Sequence, residues 1–501
     1  MPAPAAATDG AGCPAGRGAA PRRGGLGVPA TRWLLAGASW PLWAAAFGLM
    51  LVTALEVLRV DRHVGMDNEI IVRAARTLLD GGAPYADKRF LYLPSAVLVA
   101  VPEALLPHGL RWAMVPVVAV VLTLAGWVIS LRVFGVSARS RLAALGVVGF
   151  AFFAPFKNLA IIGNWTLAAV VAFPLSVLLA LRSRWVAAGA VIGLALAIKP
   201  MLAPMVLLLV FARRWRALAV AVGVPMTASA VAVALMPAPG LFVTKTLPFL
   251  LHGQDNFAKP FDASLGMVLS RLGAPGPVAY GVGVLAAGTG LVCAWLRWRR
   301  ADEGPLRVAE TALALMLSTF LVSRPSFDHY LMVVTPLLLA SVVLPGTAPR
   351  TVWFWVALLP QIPGLTWPYL ENGKRRAFKD ASTIAVLAVV AATTGLRARR
   401  ARRPRGRRRA AGVPRPAGPE VRDAVAGGGG QQPAREAAAV PAAAAAVDGR
   451  GGEAAAARGA EPPADRDALA TGEREAGGRR TAEGAAEPVP GTVPGVVPEA
   501  F

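Results

Sequence analysis

The sequence predicts an all-α protein that crosses a membrane about twelve times, and three observations predict it. Hydrophobic residues make up 55% of the 501 and charged residues only 16%, with a mean hydropathy of +0.52, too apolar for a soluble chain of this length. The apolar residues gather in runs suited to helices in a hydrocarbon layer about 30 Å thick. Arginines recur in alternate gaps between those runs, the distribution left by basic loops retained on the inner side of a membrane.

In chain order, residues 1–33 are rich in Ala, Pro and Gly, with Arg17, Arg22 and Arg23 among them. Such a composition buries no core and reads as a disordered cytoplasmic leader. The run from Leu34 to Leu58 exceeds the apolar region of a signal peptide, so it is expected to remain as the first span. Further spans are expected at 111–131, 142–156, 166–181, 185–198, 200–212, 217–236, 276–296, 306–322, 330–344, 351–363 and 381–396. The segment 91–107, broken by Pro94 and Pro102, is of marginal length, and its status decides the topology.

If 91–107 is re-entrant or interfacial, Arg132, Arg139, Arg141, Arg182, Arg184, Arg213, Arg214, Arg216, Arg297, Arg299, Arg300 and Arg307 all fall on the leader's side. If it crosses, those internal loops move outside. The first count is adopted: a multi-pass plasma-membrane protein with a transmembrane domain at 34–396 and both termini cytoplasmic. Residues 397–501 then form an Arg-rich, afterwards low-complexity, disordered cytoplasmic tail. The outer segments become 59–110, 157–165, 237–275, 323–329 and 364–380.

A formal net charge of +23 fits this topology and attraction to anionic membrane lipids better than a nucleic-acid partner, and no nucleic acid is expected. Cys13 and Cys293 frame no disulfide scaffold. There is no Walker loop, dinucleotide fingerprint or zinc-type spacing, so the sequence calls for no cofactor and no metal.

Candidate functional residues lie mostly in the outer segments. Ile70, Ile71, Ala74, Ala75, Leu78 and Leu79 share one face of an amphipathic helix expected to lie on the membrane surface, stopped by Gly81-Gly82 and Pro84. Asp67 at its start can cap the helix, act as a general base near lipid headgroups, or do both. Lys199, before Pro200, either snorkels to the interface or binds a phosphate. In 242–257, His252, Asp255 and Asn256 stand among aromatics, as in a carbohydrate site or a wet surface loop. Arg324, Asp328 and His329 can orient a phosphate, with the Asp–His pair sharing a proton or capping the next helix. Trp367, Tyr369, Arg375 and Arg376 combine stacking surfaces with cations, or simply anchor the chain at the interface.

The Asp67 helix, followed by Leu79-Asp80-Gly81-Gly82-Ala83-Pro84-Tyr85 and Phe90-Leu91-Tyr92-Leu93-Pro94, resembles the actinobacterial membrane glycosyltransferases of family 87. Gly193-Leu194-Ala195-Leu196-Ala197-Ile198-Lys199-Pro200-Met201-Leu202, Arg214-Trp215-Arg216-Ala217-Leu218 and Lys245-Thr246-Leu247-Pro248-Phe249 look most like its alpha-(1→3)-arabinofuranosyltransferase branch. The resemblance covers about 34–396 and implies a GT-C-like fold with outer-face juxtamembrane helices. It also implies a polyprenyl-phosphate sugar donor, with arabinofuranose as the sugar, and a cell-envelope polysaccharide or lipoglycan as acceptor. Asp67 matches the family's acidic residue and would be the base. Lys199, Arg324, His329, Arg375 and Arg376 become candidates for the donor phosphate, and Tyr92, His252, Asp255, Asn256, Trp367 and Tyr369 for the sugar or acceptor.

Two departures bear on sugar specificity: Tyr92-Leu93-Pro94 stands where relatives carry Tyr-Pro-Pro, and Met66 where they carry a second acid. A mannosyltransferase of the same family is the near alternative. A secondary transporter suits twelve spans with internal termini, but no paired broken helices in two matching halves are visible. A catalytically silent scaffold for envelope assembly is the third.

Overall fold

The computed structural model describes residues 28–60, 64–252, 258–300, 304–363 and 372–397, and among these are eighteen α-helices with short 3-10 turns and a π-helical turn (Phe242–Thr246) between some of them. The β-pairing described is one isolated bridge, Gly37 to Ser140. The protein is thus all-α and, with its apolar helices, a polytopic membrane protein.

The leader is helical at its end: α1 (Val28–Leu35) precedes the break that starts α2 (Trp40–Val60). Next come α3 (Met66–Leu79), α4 (Pro94–Ala104) and α5 (His108–Val133). At 11 residues α4 measures about 16 Å, roughly half a bilayer core, in keeping with a re-entrant or interfacial segment. The expected span 142–156 is instead a pair, α6 (Arg141–Ala151) and α7 (Ala154–Ile162), bent by 63°. Pro155 in the first turn of α7 has no N–H to continue the ladder of α6, so the chain turns there. As a result most of the expected outer loop 157–165 is helix.

The remaining helices follow the apolar runs. They are α8 (Thr166–Leu181), α9 (Trp185–Ile198), α10 (Met205–Phe211) and α11 (Trp215–Leu235), then α12 (Leu247–His252), α13 (Leu265–Arg271), α14 (Gly276–Trp298) and α15 (Pro305–Val322). Last are α16 (Leu331–Ala340), α17 (Val352–Leu358) and α18 (Asn372–Arg397). The start of α18 corrects the expected loop 364–380: Arg375 and Arg376 belong to a helix whose charged first turns conceal it from hydropathy.

Six helices among the described residues are long and apolar enough to cross a membrane, and the bent α6–α7 pair makes a seventh if it counts as one span. Reaching about twelve requires the shorter apolar helices, such as α8, α9 and α16, to cross as well. Several of these are central: Leu331 to Leu338 of α16 are all buried, as befits a helix apolar all round.

The α8–α9 hairpin carries the site at its open end, and small residues set its packing. Gly189 and Gly193 of α9 face Ala217 and Ala221 of α11, and a Cβ on Gly189 would collide with the Ala217 carbonyl. Small residues four apart allow helix backbones to touch where no hydrophobic force separates helix from lipid. Gly189→Leu is expected to lower stability by about 1–3 kcal/mol. Thermal unfolding in detergent checks this, and an unchanged midpoint would refute it.

Candidate active site

Local sequence explains how Asp67 is presented. Gly65 caps α3 in the left-handed region (φ 80°), and no side chain caps the helix, so Asp67 sits in the first turn rather than at the cap. A carboxylate there is favoured by the helix dipole. The other end closes as the glycines require: Gly82 N–H donates to the Thr77 carbonyl and Gly81 N–H to that of Leu78, with Gly81 at φ 74°, a Schellman stop.

The face of α3 expected to meet lipid packs on protein. Ile71, Val72, Ala74 and Ala75 are buried in a cluster with Ala96, Val97 and Ala100 of α4, while Ile70 and Leu78 are partly buried against it. Leu79 is exposed. Polar contacts fix the orientation: Glu69 pairs with buried Arg111 at 3.1 Å, Asn68 donates to Glu103, and Trp165 Nε1 donates to Asn68 Oδ1 at 2.6 Å. Arg76 donates to the Ala104 carbonyl at 3.2 Å, closing the end of α4.

A chain of polar groups leads away from Asp67. Its Oδ2 accepts from Asn164 Nδ2 at 2.5 Å, and Asn164 Oδ1 accepts from Lys199 Nζ at 2.6 Å. Lys199 also donates to Thr166 Oγ1 at 3.0 Å. Sequence pattern supplies this geometry, because Lys199 takes an extended conformation (φ −151°) where Pro200 ends α9, while Asn164 and Thr166 stand where α8 begins. The two ends of one hairpin therefore meet.

Two glycines seat this hairpin against α3. Gly163 (φ 61°) closes α7, and a Cβ on it would lie 3.0 Å from Gly65 Cα and 3.2 Å from Asn68 Cβ. Gly65 N–H donates to the Ile161 carbonyl at 2.7 Å. This close backbone approach brings Asp67 within reach of Asn164.

Aromatic groups wall the cluster. Lys199 Nζ lies 6.0 Å from the Tyr92 ring centre and 5.3 Å from that of Tyr330, distances at which a ring face stabilises a cation. Burial pushes the Lys199 ammonium down to about 8 from an ordinary value of 10.5, with the Asp67 charge opposing. Burial raises the Tyr92 phenol well above its ordinary value, and the Asp67 charge adds to this. Tyr92 is held by the Tyr85 hydroxyl, which donates to its carbonyl at 2.8 Å, and by stacking on Phe90.

Asp328 and His329 occupy a 3-10 turn before α16 and are buried. Asp328 accepts from Asn158 and, at 3.4 Å, from Arg376 of α18. His329 Nδ1 lies 3.5 Å from Asp328 Oδ1. Burial pushes Asp328 upward, but Arg376, His329 and Asn158 outweigh it and hold the carboxyl well below the usual range. For His329 burial prevails and lowers its value, favouring neutral imidazole. Its Nε2 is buried without a hydrogen-bond partner, and the charges of Lys199 and Asp67 reach it. The Asp–His pair does not cap α16, whose N-cap is Tyr330 with no side-chain cap hydrogen bond.

The structure thus gathers Asp67, Tyr92, Lys199 and His329, with Arg376 joined through Asp328. The described partners of Arg324 lie in another group: Asp262 at 3.9 Å, the Tyr280 ring at 4.8 Å and Met267. His252 falls in α12 and Arg375 in α18, whereas Asp255, Asn256, Trp367 and Tyr369 lie outside the described residues. Sequence reasoning placed Asn164-Trp165 in an outer segment suited to a site but gave Asn164 no role, and it did not single out Asn158 or Thr166. Polar residues flanking Gly163 between two apolar helices are the signal that points to Asn164 and Thr166. A groove of about 400 Å³ between α17 and α18, lined by Thr351, Trp353, Val386 and Val389, carries no charged group and has no part in this cluster.

The fold is that of a multi-pass membrane protein, and its similarities give the class: a membrane glycosyltransferase. The family model Glycosyltransferase family 87 matches residues 90–325. An alpha-(1→3)-arabinofuranosyltransferase of Mycobacterium tuberculosis (strain ATCC 25618 / H37Rv) is 29% identical over 344 residues, 66% of this chain and 77% of the relative. The same-named protein of Corynebacterium glutamicum is 27% identical, over 60% of this chain and 72% of its own length. That of Mycolicibacterium smegmatis is 26% identical, over 66% and 77%. Over residues 90–325, a little under half of its length, the chain is similar to glycosyltransferase family 87. No solved structure matches it. The family match contains Tyr92, Asn164, Thr166 and Lys199 but begins after Asp67 and ends before Asp328, His329 and Arg376.

Proposed function

We propose that this protein moves arabinofuranose from a polyprenyl-phosphate donor to a cell-envelope polysaccharide or lipoglycan on the outer face of the membrane, with Asp67 as general base. The observation that carries the reading is the chain Asp67–Asn164–Lys199, which holds a carboxylate and a cation on opposite sides of one amide. In the reaction an acceptor hydroxyl oxygen bonds to the anomeric carbon as the bond from that carbon to the phosphate oxygen breaks. Asp67 takes the hydroxyl proton, and the polyprenyl phosphate departs with the electron pair.

Lys199 meets the charge on the departing phosphate, while His329, neutral with Nδ1 toward Asp328, offers Nε2 as an acceptor for a substrate hydroxyl. Phosphate is already a competent leaving group, so positioning and charge stabilisation suffice. Arg376 serves through Asp328, orienting the buried turn. The arabinose assignment follows the printed names of the relatives, and the outer-face placement follows the distribution of arginines.

The test is a transfer assay on proteoliposomes given polyprenyl-phospho-arabinose or, separately, polyprenyl-phospho-mannose. Arabinoside formation is expected. Mannoside formation would replace the sugar, and accumulation of free sugar inside vesicles with no glycosidic bond would replace the class of function. Donor binding is expected to weaken as pH rises through about 8, because the Lys199 ammonium loses its proton there. Binding that is flat from pH 7 to about 9 would remove Lys199 from the phosphate site.

A further inference from the structure

Asn164 is 3% exposed, and its amide orientation is forced by its neighbours. Its Oδ1 faces three donors: Lys199 Nζ at 2.6 Å, Thr166 Oγ1 at 2.6 Å and the Thr166 backbone N–H at 2.8 Å. An ammonium and a backbone N–H can only donate, so the atom meeting them is the oxygen. The NH2 group must then face Asp67, whose Oδ2 lies 2.5 Å away.

An amide NH2 donates and does not accept. The amide therefore occupies one lone-pair direction of Asp67 Oδ2, and a proton placed on that oxygen finds no acceptor in Asn164. Oδ1, which that bond leaves open, is the oxygen that takes the proton removed from an acceptor hydroxyl. We infer that Asn164 is the positioning residue of the reaction, fixing which oxygen of Asp67 receives the proton and tying that carboxylate to the Lys199 ammonium. The inference rests on the reading of Asp67 as general base.

The amide also links the two ends of the displacement. Lys199 and Asp67 attract each other through it, and protonation of Asp67 removes one side of that attraction. Lys199 is then less engaged by the protein at the moment when negative charge grows on the departing phosphate. The groups facing Asp67 that share in this balance are Lys199 from the break after α9, Tyr92 from the segment before α4, and His329 and Tyr330 from the turn before α16.

Asn164→Asp separates this role from a structural one. Either carboxylate oxygen accepts from Lys199 and Thr166 as the amide oxygen does, so the turn that starts α8 survives. The NH2 is replaced by an oxygen facing Asp67, and two carboxylates that close share a proton. The expected result is a fall in kcat of about 100-fold at pH 7 and an acidic limb of the pH–rate profile raised by about one unit or more.

Asn164→Ala is the companion variant, expected to lose kcat without the shifted limb. A wild-type pH profile in Asn164→Asp, with folding confirmed by thermal unfolding, would overturn the inference. Loss of activity on Asp67→Asn in the same preparation would then leave the base reading standing. Activity retained by Asp67→Asn would remove that reading instead, whatever Asn164 does.

Discussion

Asp67→Asn is expected to cut sugar transfer by about a thousandfold or more while leaving membrane insertion and thermal stability unchanged. The amide oxygen at position 67 still accepts from Asn164 Nδ2, so the contact between α3 and the start of α8 is kept. What disappears is the group that removes the proton and the negative charge facing Lys199, His329 and Tyr92. Transfer rates on purified protein, paired with a detergent melt, make the measurement. Activity above a tenth of wild type would end the general-base assignment.

The second large effect is expected at Gly163. Alanine there meets two costs at once: a left-handed backbone (φ 61°) and a Cβ 3.0 Å from Gly65 Cα. Together they amount to about 2–4 kcal/mol. Relief requires α3 to move away from the junction of α7 and α8, which draws Asp67 from Asn164, so transfer should fall even in protein that remains folded. Gly81→Ala provides the comparison. Gly81 has a similar conformation (φ 74°) with nothing within 4 Å of its would-be Cβ, so it should cost only about 1–2 kcal/mol and spare activity. Equal losses of transfer in the two variants would show that backbone strain, and not the close approach, governs the site.

Much of the architecture was legible because it depends on apolar length, which a sequence displays directly. Each expected span coincides with a helix or helices, and the stop at Gly81-Gly82 and the break at Lys199-Pro200 fall where glycine and proline chemistry puts them. The errors have physical causes. Pro155 divided an apolar run that hydropathy joined, and the charged first turns of α18 resembled a loop because span-finding scores apolarity rather than helix formation.

The site was legible in part. Asp67 and Lys199 stood out as charges beside apolar runs, whereas Asn164 and Asn158 are neutral, and what they do depends on partners far along the chain. Asn164 meets Asp67 across 97 residues and Asn158 meets Asp328 across 170. No local pattern encodes such pairings. The cap alternative for Asp67 was also undecidable from sequence, since it turned on whether Gly65 or an acid ended the preceding turn.

The hairpin that brings Thr166 and Lys199 together acts as a ruler. Its outgoing arm, Thr166–Leu181, has 16 residues and its returning arm, Trp185–Ile198, has 14, so the ammonium is placed by counting residues down one helix and back up the next. One residue added to either arm would advance the chain by about 1.5 Å and rotate it by about 100°, carrying Lys199 to another face. Substitutions that keep apolarity can therefore drift along both arms, while the number of residues between Asn164 and Lys199 is fixed by chemistry at the open end.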